Sequence, residues 1–156
     1  MKRTAEMHVA KNFLLKLDFK DFFPSIRTVD VINHLARNAG ALPFELSDFD
    51  RALVARIVTR HGAIPIGAPS SPLLSNQIMY EFDSRLSELC AASGVTFTRY
   101  ADDLFFSTNA PNILSEVHRY VVTLLQEIEF PPLRLNACKT VYTSRRRKRV
   151  VTGVVL

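Results

Sequence analysis

At 156 residues, with 47% apolar and 22% charged side chains, the chain can bury one substantial core and has the composition of an ordinary globular protein. No run of about 18 apolar residues is present to span a bilayer, and the opening MKRTAEMHVAKN lacks an apolar signal core, so a soluble, intracellular protein without a membrane partner is expected. A net charge of +5 agrees with a polyanionic partner, while Cys90 and Cys138 lack CxxC spacing and suggest neither a zinc site nor a disulfide, only two buried, reduced thiols.

No internal repeat, low-complexity tract or linker interrupts the sequence, which predicts a single domain over 1–156. Residues 12–18 (NFLLKLD) read as a first strand, followed by a turn at DFFPSI and a helix over 27–39 carried by Val31, Ile32 and Leu35. Residues 47–59 read as a second helix with Ser47 as N-cap, and HGAIPIGAPSSP, rich in Gly, Pro and Ser, as a loop. Ser71-Pro72 is a good helix start, and Leu74, Ile78, Phe82, Leu86 and Cys90 then recur every four residues, predicting one helix with a stripe for packing on a sheet.

TRYADDLFFS follows, with Asp102 and Asp103 between the apolar runs at 95–97 and 104–106, the pattern of a β-hairpin. A two-residue hairpin loop favours Asn-Gly or Asp-Gly, so turn geometry explains an Asp-Asp pair poorly, and adjacent like charges repel unless a cation or solvent offsets them. Ile113, Leu114, Val117, Val121, Leu124, Leu125 and Ile128 mark another amphipathic helix, and residues 133–136, 141–144 and 150–155 read as closing strands. RRRKR at 145–149 is either a solvated hairpin end or a phosphate-contacting run. The element order predicts an α+β sandwich with helices on one face of an antiparallel sheet, in which the first strand could lie beside the hairpin and bring Asp18 near Asp102.

Three converging acids invite a divalent cation: Mg²⁺ binds a few protein carboxylates together with water and phosphate oxygens, and two such ions can flank an in-line phosphoryl displacement. Taken singly, Asp18 reads better as the start of an Asx turn, with the Asp-Asp pair decorating a hairpin; taken with the neighbouring motifs it reads as a metal ligand. The histidines, His8, His34, His61 and His118, form no ligand pattern.

YADD at 100–103 resembles the catalytic box of reverse transcriptases, and the other palm boxes follow in that family's order. LDFKDFFPSI (17–26) resembles the first acidic box of the bacterial, retron-type branch, PIGAPSSPLLSN (65–76) its loop-and-helix box, and LNACKT (135–140) its lysine box; VTG (151–153) and, faintly, AEMH (5–8) resemble further retron elements. The resemblance implies a polymerase palm with a ferredoxin- or RRM-like core, copying an RNA template into DNA from a primer with deoxynucleotide triphosphates and Mg²⁺, Mn²⁺ being an alternative. It implies that Asp18 and Asp102 bind both metal ions, that Asp103 is a third acid, and that the Phe19 carbonyl adds a ligand. By the same resemblance Phe23 lies under the incoming sugar and disfavours a 2′-hydroxyl, while Gly67, Ala68 and Pro69 pass close to the nascent base pair. Lys139 serves the leaving pyrophosphate, and Tyr100, Ser70, Ser71, Val151, Thr152 and Gly153 contact primer or template. A bacterial cytoplasmic setting, a structured non-coding RNA partner and a role in antiviral defence are also implied.

The sequence departs from the family where Ile66 replaces the usual glutamine and Thr4 an asparagine. Only 17 residues precede Asp18 and the chain stops at Leu156, so fingers and thumb are expected to be largely absent. A non-catalytic palm that binds RNA or protein is the competing reading; a cyclic-dinucleotide synthase would need a GGDEF-type turn, which YADD does not supply.

Overall fold

A computed structural model describes residues 2–41, 44–128 and 130–156, Lys2 through its backbone alone. Its contacts divide the chain into two compact units: Met1–Lys20, Glu81–Ile128 and Arg134–Leu156 form the first, Asp21–Tyr80 and Glu129–Leu133 the second.

The first unit is built on β1 (Phe13–Asp18), whose run FLLKLD buries side chains on both faces. After α1 (Lys2–Val9) and β1, the second unit contributes α2 (Phe22–Ser25), α3 (Thr28–Arg37), α4 (Asp48–Val58) and α5 (Ser70–Ile78); then come α6 (Tyr80–Ala92), β2 (Thr96–Tyr100), β3 (Asp103–Thr108), α7 (Ile113–Glu127), β4 (Val141–Ser144), β5 (Val150–Val151) and β6 (Val154–Val155). The sheet runs β2-β3-β1-β4 and is antiparallel throughout, so β1 does lie beside the hairpin. In an antiparallel pair, opposed residues share a face and the face alternates along each strand. Leu15 opposite Phe106 and Leu17 opposite Leu104 therefore make one face, with all four side chains fully buried; Phe97 stacks on Phe106 with ring centres 5.0 Å apart. Helix α7 packs against β1 and β3 with Leu114, Val117, Val121 and Leu124.

The opposite face holds Leu14, Lys16 and Asp18 against Ser107, Phe105 and Asp103. Its far half is apolar: Ala5 of α1, Leu14, Phe105 and Val151 form a buried cluster. His8, fully buried, pins α1 there, with Nδ1 2.7 Å from Ser107 Oγ and Nε2 2.8 Å from Thr98 Oγ1. Burial, with a smaller contribution from Lys11, lowers its pKa from 6.5 to about 4. The folded state thus resists a proton that the unfolded chain accepts, so stability is full above about pH 6.5 and is lost as the pH falls toward about 4, by about 3 kcal/mol at most. Urea midpoints across that window are expected to fall in the wild type and to fall less in His8→Gln; parallel curves would contradict this.

Several sequence expectations need correction. Helix α1 was not anticipated. The helix expected to run from Ser71 through Cys90 is two: α5 starts at Ser70 and ends at Ile78, with Met79 as its C-cap, and it buries Ser71 and Ser75 rather than a Leu-Ile stripe, whereas α6 buries Phe82, Leu86 and Cys90 as expected. Residues 133–136 form no strand; only Leu135 bridges to Phe19. Residues 150–155 fold into a two-stranded hairpin whose turn, Thr152-Gly153, has positive φ at both positions (47° and 80°), a geometry the glycine makes affordable. Cys138 is exposed, not buried, while burial pushes the Cys90 thiol up to about 12.

RRRKR turns between β4 and β5 and divides its labour. Arg149, buried, donates to the Lys11 carbonyl (2.5 Å) and the Val9 carbonyl (3.3 Å), and Arg145 also reaches Val9 (3.4 Å), so both hold the end of α1 where a helix leaves its carbonyls open. In the second unit, α3 packs on α4 and α5, and Ser47 caps α4 as anticipated, its hydroxyl accepting from the Asp50 amide while the Asp50 carboxylate accepts from the Ser47 amide. Among the described residues no helix is long and apolar enough to cross a membrane.

Candidate active site

The acids meet where β1 ends and the hairpin turns. Asp18 lies directly opposite Asp103, which opens β3, so their side chains share a face; Asp102 belongs to the turn. The two loop residues are thus Ala101 and Asp102, and the backbone turns with positive φ (51°) at Ala101, where most structures would use glycine. The Phe19 amide donates to the Asp102 carbonyl at 2.9 Å, binding the turn to the end of β1.

Like charges directly across a strand pair repel, with β-carbons about 5 Å apart. Two lysines answer that repulsion. Lys16, two residues before Asp18 and on the same face, holds Asp103 Oδ1 at 2.6 Å, and Lys139 Nζ donates to Asp18 Oδ2 at 3.1 Å. Burial nevertheless raises the Asp103 pKa; Lys16 opposes the rise, and Asp102 and Asp18 add to it. The Lys139 ammonium, 58% exposed, is held above its ordinary pKa by its bond to Asp18, with Asp102 and Asp103 contributing, and stays charged at neutral pH.

Lys139 reaches the acids because its segment is tied to β1. The Lys20 backbone amide donates to the Arg134 carbonyl and the Asn136 backbone amide to the Asp18 carbonyl, each at 2.8 Å, and residues 137–139 then form a 3₁₀ turn that ends on the lysine. Asp18, 3% exposed, keeps a second oxygen, Oδ1, that is buried without a hydrogen-bond partner. A buried carboxylate oxygen with nothing to accept from is costly. Hard, anionic oxygens on one face suit Mg²⁺ or Mn²⁺, so the donor set fits a divalent ion. Among the described residues no three acidic, histidine or cysteine side chains enclose an ion by themselves, so water and substrate oxygens would complete its shell.

The remaining sequence-selected residues fall into two groups. In the first unit, Tyr100 pairs with Asp103 across the hairpin and is half-exposed; the Val151 side chain is core, packed with Leu14 toward the other end of β1, and Thr152 and Gly153 form the small turn. In the second unit, Phe22 is buried and Phe23, in ring contact with it at 5.3 Å, is partly exposed, so Phe22 is the core residue of the pair. Gly67 has φ of 85°, Pro69 leads into α5, Ser70 is exposed, and the buried Ser71 hydroxyl donates to the Pro65 carbonyl at 2.7 Å, fastening the loop. Lys16 escaped the sequence reading, although the period-two rule places it beside Asp18; Arg99 and Asp83, which brace the hairpin, escaped it too.

The family model for reverse transcriptase (RNA-dependent DNA polymerase) matches residues 2–156. Among curated proteins, the retron Ec83 reverse transcriptase of Escherichia coli is 36% identical over 160 residues, covering 97% of this chain and 50% of that protein. The retron Mx65 reverse transcriptase of Myxococcus xanthus is 32% identical over 174 residues, covering 100% of this chain and 39% of that protein. The chain thus spans half or less of the length of these relatives. Among solved structures, apo telomerase from Candida tropicalis superposes with a TM-score of 0.71 at 12% identity, covering 99% of this chain and 33% of that one, a likeness of fold. With a palm sheet that brings its acidic boxes together and a family match along its length, the chain belongs to the reverse transcriptase family.

Proposed function

We propose that this chain is the palm of an RNA-directed DNA polymerase of the retron type, which joins a primer 3′-hydroxyl to the α-phosphate of a deoxynucleotide on an RNA template. The observation that carries the reading is the register of β1 against β3: it sets Asp18 opposite Asp103 and binds the Asp102 turn to Phe19, leaving one buried oxygen of Asp18 without a partner.

The family generally relies on divalent metal ions. Asp18 and Asp102, with Asp103 and the Phe19 carbonyl beside them, would hold Mg²⁺ or Mn²⁺, which when bound supplies Lewis-acid charge for the attacking and leaving oxygens. Asp18 and Asp103 present their carboxylates on one face, so the substrate meets fixed negative groups rather than mobile ones. Lys16 holds Asp103 in place. Lys139, charged and largely exposed, offers a proton and positive charge to the leaving pyrophosphate. Phe23 under the sugar, Gly67 to Pro69 beside the base pair, and Tyr100, Ser70, Ser71 and Val151 to Gly153 along primer and template complete the reading. Deoxynucleotide triphosphates, DNA product, a structured RNA, a bacterial cytoplasmic setting and a part in antiviral defence belong to the same proposal, on the resemblance to retron enzymes.

Extension of a primed RNA template, followed on a gel with Mg²⁺ or Mn²⁺ and each nucleotide class, tests it. Added deoxynucleotides in the wild type and none in Asp102→Asn are expected. Equal extension by Asp102→Asn, or no extension with either ion, would overturn it.

A further inference from the structure

The turn that carries Asp102 is held from behind. Arg99, the penultimate residue of β2, has a side chain only 6% exposed, and its guanidinium faces two ways. Toward α6 it grips Asp83 with both arms of the fork, Nε to Oδ1 at 2.8 Å and a terminal nitrogen to Oδ2 at 2.5 Å. Toward the hairpin its other terminal nitrogen donates to the Ala101 carbonyl at 3.0 Å. Ala101 is the residue with positive φ, a conformation that is strained for a non-glycine residue and persists where its surroundings over-determine it. The next residue is Asp102, whose own carbonyl is taken by the Phe19 amide. The two carbonyls of the loop are thus fixed independently, one by β1 and one by a buried cation anchored on α6.

We propose that Arg99 and Asp83 are a positioning pair: the Asp83-anchored guanidinium holds the strained Ala101-Asp102 turn and thereby sets where the Asp102 carboxylate points. The inference rests on the polymerase reading for its catalytic consequence, though not for its structural one. Neither residue touches substrate; both act through the turn. Planarity and the forked donor set make arginine the fitting residue, since two nitrogens serve one carboxylate while the third serves the carbonyl. Lysine would keep the charge but could not make all three bonds at once. Asp83→Asn would leave the guanidinium buried against a neutral amide with one acceptor fewer.

The test pairs amide hydrogen exchange with extension kinetics for wild type, Arg99→Lys, Asp83→Asn and Asp83→Glu. Positioning predicts that amides 101–104 exchange about tenfold faster in Arg99→Lys and Asp83→Asn, while amides 14–17 of β1 keep their wild-type rates. It also predicts that kcat falls by about 10- to 100-fold with the KM for primer and template unchanged, that the Mg²⁺ concentration for half-maximal rate rises several-fold, and that Asp83→Glu recovers part of the loss. Exchange accelerated equally in β1 and the turn marks a merely structural role and overturns the proposal, as does an unaltered turn or an unaltered kcat. If the wild type extends no primer, the polymerase reading fails, and the exchange pattern alone decides whether the pair holds the turn.

Discussion

Asp18→Asn is expected to abolish primer extension, by about 10³-fold or more, while leaving the protein folded. Asparagine keeps the shape of the side chain and one carbonyl oxygen, but it removes the charge that stands opposite Asp103 and replaces one anionic oxygen by an amide nitrogen. That nitrogen donates and cannot ligate a hard cation. Folding is spared because the substitution also removes a like-charge pair across the strands, which offsets the weakened bond from the exposed Lys139. Single-turnover extension and a thermal melt measure the two halves separately. A melt within a few degrees of wild type together with lost extension is the expected pair; retained extension would remove Asp18 from the chemistry.

The second large effect is on stability. Phe106→Ala is expected to cost about 3–5 kcal/mol, against a total of about 5–15 kcal/mol for a domain of this kind. Phe106 is fully buried at the centre of the sheet, opposite Leu15 and stacked on Phe97, so its removal leaves a cavity that paired strands on both sides cannot close. Urea unfolding by circular dichroism reads the loss as a lower midpoint with an unchanged slope. A cost below about 1 kcal/mol would mean that the face is not packed as described.

What was legible in the sequence follows from which forces are local. Apolar-rich runs in NFLLKLD and the hairpin marked both strands, and the acid closing the first suggested that it lies beside the hairpin, whereas the register that sets Asp18 opposite Asp103 rather than Asp102 appears only once the strands are paired. The Ser47 cap was legible for the same reason, resting on bonds three residues apart. The four-residue stripe through Ile78 and Phe82 misled, because apolar spacing continues unbroken where the backbone breaks at Met79, and the buried serines of α5 carry no hydrophobic signal. Residues 133–136 look like a strand, but Arg134 and Asn136 bond through their backbones to Lys20 and Asp18, and this tether brings the Lys139 side chain to Asp18. The Arg99 brace joins residues sixteen apart through a buried ion pair, and neither propensity nor periodicity marks such a partner.

Calorimetric titration of Mn²⁺ into the protein, with and without a deoxynucleotide triphosphate, tests the catalytic centre most directly. Binding that tightens when the nucleotide is present and is lost in Asp18→Asn is the expected result. Binding of equal strength in Asp18→Asn, or none in the wild type under either condition, would contradict it.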